Sequence, residues 1–169
     1  MKRLTILAMS TLTSLATDIS ALMITSEDFC PCGRNPARFT GEGRDINPQL
    51  EIADTPPNTK SLVLVMDDPD APAGTFTHWL LWNISPTTTT LQREALPAGA
   101  INGKNDFGTS TYRGPKPPSG KHRYFFRVYA LDTLLDLVAG SDRKELESAM
   151  KGHILAESAL EGTFSSKNK

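Results

Sequence analysis

Residues 62–84 read LVLVMDDPDAPAGTFTHWLLWNI, and the fold turns on how this stretch divides. Residues 62–66 are a short unbroken apolar run, and residues 78–84 are another, rich in aromatic and branched side chains. Both are too short for ordinary globular helices and predict buried strands. Between them, Pro69 and Pro72 end a strand ladder and stiffen the backbone, while Gly74 allows the reversal. Asp68 and Asp70 are therefore carried on a rigid loop at the mouth of an apolar sheet, with His78 opening the returning strand. Polar groups held on a stiff loop by a packed scaffold are the layout of a binding site.

A second loop of the same character lies further on. Residues 111–124, TYRGPKPPSGKHRY, hold Gly114, Pro115, Pro117, Pro118 and Gly120. So restricted a loop loses little entropy on binding. It feeds residues 124–131, YFFRVYAL, a strand by composition. Alternation puts His122, Tyr124, Phe126 and Val128 on one face, with Arg123, Phe125, Arg127 and Tyr129 on the other. An imidazole and a phenol then project side by side.

The remaining segments are less regular. Residues 23–52 predict short edge strands and loops, with Asn47-Pro48 as a turn, and residues 54–60 a polar turn. Residues 85–99, with their run of four threonines, predict a surface excursion, loop or edge strand. Residues 102–108 show turn chemistry around an aromatic. Ser141 and Asp142 are candidate caps, Asp142 and Glu145 fit a capping box, and Leu146, Met150, His153 and Ile154 recur at helical spacing. That predicts a helix running through to Leu160, with His153 on or beside its apolar face.

At 169 residues the chain is one domain, placed at residues 22–166. Twelve prolines, twelve glycines and several short apolar runs favour an all-β or β-rich class. A net charge of -1, with no basic run interleaved with aromatics, excludes a nucleic-acid partner. In residues 1–21, Lys2 and Arg3 precede an uncharged, moderately apolar run with Ser20 and Ala21 as a cleavage point, a signal-like extension. It predicts a periplasmic or secreted protein; Met23 as the true start, and with it a cytoplasmic protein, is the alternative. No segment reads as an integral membrane span. Cys30 and Cys32, separated by Pro31, are poorly placed for a mutual disulfide and lack a second pair for zinc, so they read as packed or idle thiols.

Asp68, Asp70, His78, His122 and Tyr124 can converge if their strands are neighbours. Imidazoles, a phenol and backbone N–H groups of a glycine-rich loop suit phosphate or carboxylate oxygens, with the carboxylates orienting an imidazole or accepting from an ammonium group. A divalent metal site is open by residue type but lacks a compact ligand motif. Hydrolysis is open through a histidine base and an aspartate, without a recognisable nucleophile. The residues can also simply satisfy one another in a polar seam.

At these residues the sequence resembles the phosphatidylethanolamine-binding protein family, also called Raf kinase inhibitor protein-like. Its two signature regions are similar to DPDAP at residues 68–72 with His78-Trp79, and to the run at residues 114–124. The short interval between Pro72 and His78 resembles the bacterial and archaeal branch. The resemblance implies an all-β Greek-key sandwich with minor helices, a proline near Asp70 open to the cis form, and a small anion pocket. That pocket would be lined by Asp68, Asp70, His78, Gly114, Pro115, His122 and Tyr124 and shaped by Pro72 and Pro118. No cofactor is expected; a small anion is the expected partner, with regulation of a protein partner by pocket occupancy as an alternative.

Overall fold

A computed structural model describes residues 21–166. In chain order its strands are β1 (Met23–Thr25), β2 (Gly33–Arg34), β3 (Leu50–Ala53), β4 (Ser61–Asp68), β5 (Phe76–Ile84), β6 (Thr90–Leu91), β7 (Ile101–Asn102) and β8 (Lys121–Leu131). Helix α1 (Arg143–Met150) and strand β9 (Ile154–Ser165) follow. A small sheet has the order β1-β3-β6, and a larger one the order β2-β9-β8-β4-β5-β7. All pairings are antiparallel except β2 with β9.

The larger sheet is covered on both faces. On one, Leu62, Leu64, Met66, Trp79, Phe126 and Val128 pack with Ile24, Leu50 and Ile52 of the small sheet. On the other, Val63, Val65, Leu80 and Trp82 lie with Leu135 and with Leu146 and Met150 of α1. Every residue of β4 is consequently buried, which is why residues 62–66 are apolar without alternation. The same two-sided burial separates neighbouring carboxylates. Asp67 ends the α1 side, its Oδ2 3.1 Å from Arg127 Nε and 3.0 Å from an Arg143 Nη, so the pair of arginines ties α1 to the sheet. Asp68, one residue on, faces the other way.

The predicted alternation in β8 holds: His122, Tyr124, Phe126 and Val128 are all buried. The capping box is present, with Glu145 N–H donating to Asp142 and Asp142 N–H to Glu145, both at 2.9 Å. The helix it starts is shorter than its spacing predicts. Gly152, at φ +84°, takes a left-handed turn after Met150, and residues 154–165 extend along β8, paired from Leu131 opposite Ile154 to Lys121 opposite Ser165. The apolar positions of this segment fit both periods, and the ladder offered by β8 decides between them. His153 therefore sits in a turn rather than on a helix face, exposed, with Nδ1 2.8 Å from Asp132 Oδ1.

Two further expectations are corrected. Residues 37–39, expected among edge strands and loops, form a 3-10 turn, and no peptide bond among the described residues is cis. The signal-like segment lies outside the described residues, except for Ala21. Among them, no helix is long and apolar enough to cross a membrane.

Candidate functional site

The ends of β4, β5 and β8 bring four predicted side chains together. Asp68 closes β4, and its Oδ2 lies 2.8 Å from Nδ1 of His122, at the start of β8 and 54 positions away. Tyr124, two residues along the same face, meets the His78 ring edge-on, with centroids 5.3 Å apart. Asp68, His78 and His122 are only 4%, 3% and 7% exposed, and Tyr124 is fully buried.

His78 reaches this cluster through a break in register. Met66 faces Trp79 and Asp67 faces Thr77, leaving His78 opposed by no residue of β4, a β-bulge. Plain alternation would place His78 on the face of Leu80 and Trp82, beneath α1. The extra residue turns the imidazole to Tyr124 instead. The His78 carbonyl accepts from Asn105 Nδ2 at 3.1 Å and from Arg113 N at 3.3 Å.

Both imidazoles have a defined polarity. His78 Nδ1 is 2.7 Å from the Arg113 carbonyl, which can only accept, so Nδ1 carries the proton. His122 Nδ1 faces a carboxylate and carries its proton for the same reason. Burial pushes the His78 pKa down, against the opposing pull of Asp68, Asp45 and Asp106. Burial, then the charge of Asp68, pushes the Tyr124 phenol far up, so it stays a donor. Asp68 lies within hydrogen-bonding reach of this phenol and adds to the rise, although the buried hydroxyl makes no bond of good geometry.

The second loop is bolted down around the cluster. Gly114 N–H donates to Asp45 Oδ1 at 2.6 Å, Gly41 N–H to the Pro115 carbonyl at 3.0 Å, and the Tyr112 hydroxyl to the Phe39 carbonyl at 2.7 Å. A Cβ on Gly114 would stand 2.1 Å from the Phe39 carbonyl oxygen, so only glycine allows this approach. Pro115 is buried, whereas Pro72 and Pro118 are exposed on the two flanking loops.

Asp70 is engaged elsewhere. Its carboxylate accepts from Arg123 backbone N–H and Nε, each at 2.9 Å, and from Nη2 at 2.6 Å. The guanidinium holds its pKa down at about 2. Asp70 N–H donates to Asp68 Oδ1 at 2.9 Å, so Asp70 braces the turn that carries Asp68 and orients a guanidinium rather than an imidazole.

Several residues that the sequence did not single out complete the site. Asp45 also pairs with Arg113 Nε at 3.0 Å. Buried Asn105 donates to the His78 and Thr111 carbonyls and accepts from Phe107 N and Thr109 N, welding residues 105–111 to β5. Phe76 and Phe107 pack edge-on against His78, at 5.4 and 5.3 Å. The turn chemistry of residues 102–108 was a signal for Asn105; Asp45, in an irregular polar stretch, had none. Among the described residues no three His, Cys, Asp or Glu side chains are grouped as a metal would need, and Cys30 and Cys32 are free and exposed.

The geometry can be set beside known proteins. The family model for "Phosphatidylethanolamine-binding protein" matches residues 25–165. A UPF0098 protein of Methanothermobacter thermautotrophicus is 49% identical over 137 residues, covering 78% of this chain and 91% of that protein. One from Pyrococcus horikoshii is 51% identical over 140 residues, covering 78% and 71%. Among solved structures, a phosphatidylethanolamine-binding protein homologue from Chlamydia trachomatis superposes with a TM-score of 0.83 at 38% identity, covering 87% of this chain and 99% of that one. E. coli YbcL superposes with a TM-score of 0.82 at 29% identity, covering 88% and 100%.

Proposed function

The chain belongs to the phosphatidylethanolamine-binding protein family, on its bacterial and archaeal branch, and we propose that it is a non-catalytic binder of small phosphate-type or carboxylate anions, phosphoethanolamine-like head groups among them. The observation that carries this reading is the convergence of Asp68, His78, His122 and Tyr124 at the ends of three neighbouring strands. Tyr124 donates to the ligand, the two imidazoles face it through Nε2, and Asp68 fixes the His122 ring from behind. The adjoining loop of Gly114 and Pro115 walls the site.

Calorimetric titration of the purified protein with phosphoethanolamine tests the reading. Saturable uptake at millimolar ligand or below supports it; absence of heat with phosphoethanolamine, inorganic phosphate and acetate alike ends it. Turnover of ester substrates that disappears in Asp68→Asn would replace binding by hydrolysis using the same residues. A protein captured only by the unliganded form would favour regulation of a protein partner by pocket occupancy. We further propose export with removal of residues 1–21, which N-terminal sequencing of the mature protein checks: a start near Leu22 agrees, and an intact Met1 contradicts.

A further inference from the structure

We propose that the site takes up its ligand together with a proton, and so prefers oxyanions that carry one, phosphomonoester monoanions above all, to tetrahedral anions that cannot. This rests on the anion-binding reading and concerns which protonation state is bound. Arg113 O holds the His78 proton on Nδ1, and Asp68 Oδ2 does the same for His122. Neither Nε2 makes a hydrogen bond with the described residues. In a neutral ring that nitrogen is a lone pair, so His78, whose charged form is disfavoured by burial, presents an acceptor and not a donor.

The charges around them have the same sense. Asp68 faces His122 directly and acts on His78 and Tyr124, and Asp45 and Asp106 also act on His78. Asp70 acts on His122 but is clamped by Arg123, and Arg113 is spent on Asp45. A fully deprotonated anion would therefore meet the His78 lone pair and the Asp68 carboxylate, which also draws on the Tyr124 hydroxyl. One added proton reverses this. Carried by the ligand, it makes an O–H that donates to Nε2; carried by the ring, it makes an N–H that donates to the ligand oxygen. Either way the complex holds one proton more than the free site and the bare anion. Burial of His78 disfavours its charged form in the empty site, so the proton arrives with the ligand.

A phosphomonoester, whose second pKa is about 6, retains that proton on part of its population near neutrality. Sulfate and phosphodiesters do not. Titration calorimetry of the full chain with inorganic phosphate and inorganic sulfate, between about pH 6 and pH 8 and in buffers of differing ionisation enthalpy, tests the proposal. Phosphate should bind at least about tenfold more tightly than sulfate near neutral pH, the value of one charge-assisted hydrogen bond. Sulfate affinity should fall by about tenfold per pH unit, with uptake of about one proton per anion. Equal affinities that do not vary with pH would overturn the proton-linked selection while leaving anion binding intact. No heat from either anion or from phosphoethanolamine at any pH overturns both.

Discussion

His122→Ala is expected to weaken phosphoethanolamine binding by about 30- to 150-fold, the loss of about 2–3 kcal/mol carried by a hydrogen bond to a charged group. Of the two clustered imidazoles, His122 is the one fixed by a carboxylate, through the 2.8 Å contact with Asp68, so on the proposed reading its removal takes away both a ligand contact and the polarity of the site. The variant also takes the imidazole from Oδ2 of Asp68, a residue only 4% exposed, leaving the Asp70 N–H on Oδ1, which costs stability in its own right. His122→Asn separates the two effects. Its amide can still donate to Asp68, so thermal stability should stay near that of the wild type while binding falls by a similar factor. Unchanged affinity in both variants would remove His122 from the site.

Gly114→Ala is expected to destabilise the protein by about 3 kcal/mol, through overpacking and the loss of loop hydrogen bonds. For a domain of this size that is a fall in Tm of roughly 6–12 °C. The added methyl would meet backbone atoms that cannot swing aside: the Phe39 carbonyl oxygen at 2.1 Å and Thr40 Cα at 2.8 Å. Relief requires lifting the loop, which breaks the Gly114 N–H contact with Asp45 and pulls Arg113 from the His78 Nδ1 proton. Binding should suffer as well, since the His78 tautomer depends on that carbonyl. Differential scanning calorimetry decides the matter; a wild-type Tm would show that the loop does not seat on residues 39–40.

How much of this was legible beforehand follows from what each signal depends on. Residues 62–66, 78–84 and 124–131 were readable as strands because burial on one face or two leaves its mark directly in composition and alternation. Asp68, His122 and Tyr124 followed, being positions on those strands or the stiff loops beside them. The extent of α1 was not readable, because the apolar residues after Met150 fit a helix by spacing and a strand by pairing with β8. The bulge at His78 was invisible for a related reason: it exists only in the count of residues across two strands. Asp70 was expected beside an imidazole because proximity in sequence to Asp68 resembles proximity in space. Three charge-assisted bonds from Arg123 draw it outward.

If the chain binds anions as proposed, His78 and His122 line one ligand site. The chain has three histidines, and the third, His153, is an exposed turn residue paired with Asp132, an internal control. Long-range proton–nitrogen NMR of the imidazoles during a phosphoethanolamine titration should show the His78 and His122 Nε2 resonances shifting along one common saturation curve while His153 stays still. Resonances of His78 and His122 that remain fixed through saturation, or that follow separate curves, would contradict it.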